Sequence, residues 1–148
     1  MEQDLRSALK KFEEAGELLR VRRECDPEHE ISAVLWKEKH GRAVVFEKVK
    51  GFAMPMVGNV NNTRSKFALG LGIPQSECLK RLLLGMDKPL DVEVVSDAPC
   101  QQVVIDKDID LLKLMPIPQV SEGDANRYAT GGIAISKHPE TGKRNASI

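Results

Sequence analysis

Apolar residues recur at helical spacing near the start of the chain. Leu5, Ala8, Leu9 and Phe12 fall on one face, which predicts a helix capped by Asp4 and stopped at Gly16. Leu18 to Val21 reads as a short strand. Asp26 and Pro27 form a cap and first-turn pair, opening a helix with Ile31, Val34 and Leu35 turned inward. A strand from Ala43 to Val49, a Lys50-Gly51 turn and a second strand from Met56 to Val60 follow. Thr63 starts a helix through Leu69 that Gly70 and Gly72 end, and Pro74 opens another carrying Leu79, Leu82 and Leu83. Val92 to Val95 and Val103 to Ile105 read as further strands ahead of a Pro116–Pro118 crossing segment. Interleaved helices and strands predict α/β or α+β layer packing.

The last twenty-one residues predict a hairpin. Ile133, Ile135 and the stem of Lys137 alternate with Ala134 and Ser136, the period of a strand. Pro139 and Gly142 supply the turn, and Asn145 opens a second strand. Strand alternation puts Asn145 and Ser147 on one face, Ala146 and Ile148 on the other. A carboxamide beside a hydroxyl can hold a hard cation or a phosphate; it can equally close a hairpin edge by hydrogen bonding. From pattern alone the second role is the commoner one for so short a motif. Gly131-Gly132 suits a close approach by another backbone or a flat ligand. A domain seldom stops within a strand just begun, so the expectation is the front part of a longer protein.

Composition narrows the class. The chain has 148 residues, 41% hydrophobic and 30% charged, which allows one domain or one plus part of another. Basic and acidic side chains balance at 22 each, so there is no basic excess to draw nucleic acid. No apolar run reaches membrane-spanning length, and the charged first fifteen residues do not read as a secretory signal. Cys25, Cys78 and Cys100 are odd in number and far apart, which suits reduced thiols in the cytoplasm.

Other constellations read as structural. His29 and His40 lack the i, i+4 spacing of a helical metal pair and read as solvated positions. Gly70 and Gly72 lack the third glycine of a dinucleotide fingerprint. Asn59, Asn61 and Asn62 read as turn and cap residues. Cys100 reads as a packed thiol, and Trp36 as core or interface filling. Nothing in the sequence pairs Glu47 with Asp124 for acid–base work.

Several blocks, in order, carry a family likeness. They are Asp4-Leu-Arg-Ser-Ala-Leu, Gly16-Glu-Leu-Leu-Arg-Val, Val45-Phe-Glu-Lys-Val-Lys-Gly51, Val57-Gly-Asn59, Ala98-Pro-Cys-Gln101, Asp110-Leu-Leu-Lys-Leu-Met-Pro-Ile-Pro118 and Gly123-Asp-Ala125. With the Tyr128-Ala-Thr130 strand, the Pro-Glu-Thr-Gly turn and Asn145-Ala-Ser-Ile148, they resemble the UbiD family of decarboxylases, which use prenylated flavin mononucleotide (prenylated FMN). Asn126-Arg127 departs from the pattern, since many members carry a glycine and a small or prolyl residue there.

The resemblance implies a small N-terminal α/β domain over 1–97 and, over 98–148, the start of a flavin-binding split β-barrel. It implies a carboxy-lyase acting on aromatic or α,β-unsaturated acids, with the prenylated flavin as electron sink. It places the family's metal-binding asparagine on Asn145 and cofactor contacts on Thr130, Ala146, Ser147 and Ile148. The ion is manganese, with potassium as a further candidate. A flavin prenyltransferase supplies the cofactor, and the full-length protein is a homo-oligomer. The family's remaining ligands and its acid–base residues fall beyond Ile148, so these 148 residues alone are expected to be inactive. The alternative reading is a non-catalytic assembly or interaction module derived from the same family.

Overall fold

The structure is a computed structural model that describes residues 4–90, 93–129 and 131–147. Helix α1 (Leu5–Glu14) starts in a capping box: the Asp4 carboxylate accepts the Ser7 N–H at 2.7 Å, and the Ser7 hydroxyl takes the Asp4 N–H at 3.2 Å. Strand β1 (Leu18–Cys25) follows, then α2 (Glu30–Lys37), β2 (Ala43–Val49), β3 (Met56–Gly58), α3 (Arg64–Leu71) and α4 (Cys78–Asp87). A one-turn α5 (Leu111–Leu114) and the strands β4 (Ala134–Lys137) and β5 (Arg144–Ser147) complete the order.

The sheet order is β1-β2-β3, with β1 parallel and β3 antiparallel to the central β2. Val44 and Phe46 are fully buried and pack with Cys25, Ile31 and Val49, while Val34 and Leu35 of α2 close over them. Ala43 and Val45 are buried as well, so the opposite face of β2 must also be covered. Helices α1 and α3 pack against each other and supply that cover: a side chain at Gly70 would meet Phe12 and Ala8 at 3.6–3.7 Å, and Phe12 is fully buried. Gly58 sits where any Cβ would run into Leu35, so α2 can lie directly on the β3 edge.

Most expected elements are found, with shifted bounds. β1 runs four residues past Val21 through a polar stretch, because pairing with β2 continues beyond an irregularity between Val21 and Glu24. α2 begins at Glu30, not at Asp26-Pro27: Asp26 instead turns its carboxylate to the Glu28 N–H at 2.9 Å, and His29 caps α2 at φ 67. Gly72 closes α3 in the left-handed conformation. A 3-10 turn at Gln75–Glu77 separates Pro74 from α4. Asn59 and Asn62 act as caps for the end of α2, donating to the Leu35 carbonyl at 2.8 Å and the Lys39 carbonyl at 2.9 Å. The strands expected near 92–95 and 103–105 do not form at residues 93–95 and 103–105, where no neighbouring strand offers a ladder; Val92 lies outside the described residues. Trp36 is 71% exposed, with Lys39 Nζ over its ring at 4.2 Å, so it does not fill this core.

Residues 116–128 return to the N-terminal unit. Gln119 N–H donates to the Pro27 carbonyl at 3.0 Å, and its own carbonyl accepts from the Ser32 hydroxyl at 3.0 Å and the His29 N–H at 3.3 Å. Arg127, the residue that departs from the family pattern, reaches Glu28 at 2.9 Å.

Among the described residues, one charged side chain is buried. Lys66 is 1% exposed and donates its ammonium to the Gly41 carbonyl; burial pushes its pKa below the ordinary lysine value, with Glu17 and Glu38 partly opposing. Above the folded pKa and below the unfolded one, the unfolded chain binds more protons, so stability rises with pH through that window. Lys66→Met keeps the side-chain length and removes the titration. Urea unfolding should show the parent gaining on Lys66→Met as pH rises toward the ordinary lysine pKa of about 10.4. A flat or falling difference would contradict the burial argument.

Candidate functional site

The hairpin at the end of the chain is built by its own sequence. β4 and β5 pair antiparallel, with Ala134 opposite Ser147, Ile135 opposite Ala146, Ser136 opposite Asn145 and Lys137 opposite Arg144. The turn is shaped by His138, a residue the sequence reading did not single out. Its Nδ1 accepts the Glu140 and Thr141 N–H groups at 3.3 Å each, its N–H donates to the Lys143 carbonyl at 2.9 Å, and its carbonyl accepts the Gly142 N–H at 2.9 Å. Gly142 takes φ 68, as the exit from such a turn requires. The usable signal was an acceptor side chain directly ahead of Pro-x-x-Gly, which can bond the free N–H groups beyond it.

Residues directly opposite on paired strands share a face. One face therefore carries Asn145, Ser136, Ser147 and Ala134, and the other carries Ile135, Ala146, Lys137 and Arg144. The first is an array of one carboxamide and two hydroxyls, all exposed. Neutral oxygens of this kind suit a hard cation or a phosphate as part of a larger shell, but supply no charge of their own. Among the described residues, no three His, Cys, Asp or Glu side chains gather in a metal-binding group. The hairpin thus fits the implied ion as a partial set of donors. Of the five expected cofactor residues, Asn145, Ala146 and Ser147 stand together on β5, while Thr130 and Ile148 lie outside the described residues.

The other candidates separate from this hairpin. Glu47 pairs with Arg20 at 3.5 Å, and Asp124 accepts the Ser121 N–H at 2.8 Å, so the two acids serve different ends of the fold. His29 is a helix cap. Cys100 is exposed, not packed: the 3-10 turn Pro99–Gln101 that carries it has no buried residue. Burial raises the pKa of the Cys25 thiol, as expected of an inert core cysteine.

A cleft of about 400 Å³ opens where residues 113–127 meet the N-terminal unit, with Lys50, Lys113 and Arg127 on its wall and Phe52 beside them. Each cation already has a carboxylate: Asp26 at 2.7 Å from Lys50, Asp110 at 3.0 Å from Lys113 and Glu28 at 2.9 Å from Arg127. The hydrogen bond from Lys50 holds the Asp26 carboxyl below the usual carboxylate range. The cleft is an internally neutralised seam between two parts of the chain.

Comparison with known proteins agrees with this layout. Residues 9–86 match the 3-octaprenyl-4-hydroxybenzoate carboxy-lyase N-terminal domain, and residues 92–148 match the Rift-related domain of the same carboxy-lyases. A phenolic acid decarboxylase from Sedimentibacter hydroxybenzoicus is 33% identical over 93% of the chain, which covers 31% of that protein. Among solved structures, an evolved dimeric form of the UbiD-class enzyme HmfF from Pelotomaculum thermopropionicum, in complex with prFMN, superposes with a TM-score of 0.92 at 36% identity over 99% of the chain and 35% of its own. Apo 3,4-dihydroxybenzoic acid decarboxylase from Klebsiella pneumoniae gives a TM-score of 0.87 at 26% identity, again over 99% of this chain and 34% of that one. The chain spans about a third of the length of these relatives. Two adjoining family domains matched in order, and a superposition along almost the whole chain, lead to one conclusion: the chain belongs to the UbiD family of carboxy-lyases.

Proposed function

We propose that the chain is the N-terminal part of a UbiD-like, non-oxidative (de)carboxylase that acts on aromatic or α,β-unsaturated carboxylic acids with prenylated FMN. In this reading residues 1–97 are the α/β domain and 98–148 begin the flavin-binding split β-barrel. The observation that carries it is Asn145, placed on β5 beside Ser136 and Ser147 within the part that matches the Rift-related domain. Relatives in complex with prFMN or FMN support the cofactor assignment.

The prenylated flavin, when bound, supplies the electron sink that decarboxylation needs. The chain's own residues do the holding. Asn145 would offer its carboxamide oxygen to a metal cation, manganese in this reading with potassium as a further candidate, which would supply positive charge beside the flavin phosphate. The hydroxyls of Ser147 and Ser136 lie on the same face and can donate hydrogen bonds to phosphate oxygens. Thr130, Ala146 and Ile148 are assigned to the flavin itself. Anionic ligands and proton donors would come from residues outside the hairpin, because the described part of the hairpin is neutral on that face. A flavin prenyltransferase is the matching source of cofactor, and the assembled enzyme is a homo-oligomer. Three free cysteines fit the reducing cytoplasm, and no helix among the described residues is long and apolar enough to cross a membrane.

The 148-residue chain by itself should purify without manganese or flavin, since one neutral carboxamide competes poorly with water for a divalent ion. A yellow, flavin-loaded preparation would contradict this.

In the full-length polypeptide, Asn145→Ala removes one ligand oxygen and almost no core, because β5 is exposed throughout. Manganese and flavin content should fall by about tenfold or more, with decarboxylation falling alongside, while the melting temperature of the cofactor-free protein stays put. If Asn145 only closes the hairpin, the variant instead loses stability of order 1 kcal/mol and keeps its cofactor. Metal analysis, flavin absorbance and an apo melting curve, measured together, separate the two.

A further inference from the structure

Helix α4 carries apolar residues where a surface helix should not. Leu79, Leu82, Leu83 and Met86 recur at i, i+3, i+4 and i+7, forming one stripe about 100° wide. They are 67, 50, 55 and 80% exposed, and α4 has no buried residue. Two further features describe what the stripe fits. On one flank, Lys80 and Asp87 stand two turns apart, and among the described residues neither joins an ion pair; Arg81, on the back of the helix, pairs with Glu77 at 3.8 Å instead. On the other flank, Cys78 and Gly85 are small, and Cys78 borders a cleft of about 520 Å³ lined by Phe67, Leu79 and Leu82.

We propose that α4 is a self-docking face, on which a second copy of this chain packs its own α4 antiparallel. A two-fold axis between antiparallel helices brings like flanks together. With the axis level with the midpoint between Leu83 and Leu84, Lys80 faces Asp87 of the second copy, and Asp87 faces its Lys80. The same register sets Leu82 level with Gly85 of the second copy, where the missing side chain leaves room for it. Met86 of the second copy then comes down on the flank beside Cys78 and the cleft. Apolar stripe, charge pattern and small residue all agree on one register, which parallel packing would break, because unlike flanks would then meet and Lys80 would face the uncharged Cys78–Gly85 flank of the second copy. The pairing is independent of the carboxy-lyase reading, since it uses no cofactor residue. A pair of ten-residue helices is smaller than a standard interface, so the dimer is a weak one, half formed at roughly 10–100 μM.

Sedimentation of the 148-residue chain over that range tests the pairing. A concentration-dependent dimer is expected. Lys80→Asp should weaken it about tenfold or more, because two like-charge contacts replace two ion pairs. Adding Asp87→Lys to the same chain should restore it, a rescue that only this register provides. Leu83→Lys, at an exposed position that leaves the fold intact, should abolish it. A chain that stays monomeric overturns the proposal, whether α4 is bare or reserved for polypeptide of the relatives' greater length. So does a dimer that ignores Lys80→Asp and Leu83→Lys, which would place the contact on the open edges of the β4–β5 hairpin.

Discussion

Strand β2 is the constraint on which the rest of the chain depends. It is buried on both faces over Ala43–Phe46 and bonded on both edges, so α2 must lie on one side and the α1–α3 pair on the other. Truncating a fully buried phenylalanine such as Phe46 would cost about 3–5 kcal/mol, a large share of the stability of a domain this size. The cover on each side is then locked by polar contacts at its ends. Asn59, Asn62 and Lys66 hold the last carbonyls of α2 and its following turn, and Lys11 Nζ reaches the Gly70 carbonyl at 2.8 Å to tie α1 to α3. The donor groups of these side chains are tolerated here because each meets a backbone carbonyl at or beyond a helix end, although the Asn62 Oδ1 is buried with no hydrogen-bond partner among the described residues.

From this core the chain reaches its candidate site through a seam. Gln119 and Arg127 clip the segment after α5 to residues 27–32, and eight residues past Tyr128 the hairpin presents Asn145 opposite Ser136. Placement therefore rests on hydrogen bonds and one ion pair across the seam, together with the buried Pro116. The hairpin itself is exposed, and two strands alone are marginal in water. Its polar face offers oxygen donors without charge, which is consistent with a ligand set shared with residues elsewhere.

The sequence was most legible where local chemistry and tertiary packing agree. Asp4 as a cap and apolar residues at helical spacing pointed to α1; the run Ala43 to Val49 pointed to β2; Pro139 and Gly142 pointed to the hairpin turn. It was least legible where a partner decides. The polar end of β1 becomes strand only because β2 extends beside it, and the valines near 94 and 103 stay irregular because no strand lies there. Asp26 looked like a helix cap, but Lys50, twenty-four residues away, claims its carboxylate. The Arg127–Glu28 pair spans ninety-nine residues and has no local signature at all. Asn145 could be placed on a face from alternation, yet its chemistry came from family likeness, since a strand-borne asparagine has many structural uses.

Amide hydrogen exchange, read residue by residue, bears most directly on the division between a self-sufficient core and an exposed hairpin. Amides of Val44, Val45 and Phe46 should exchange only through global unfolding. Those of Ala134–Lys137 and Arg144–Ser147 should exchange through local opening, about a hundredfold faster or more under the same conditions. Equal protection in the two regions would mean that the hairpin is completed within these residues, and would contradict the view that its site needs further partners.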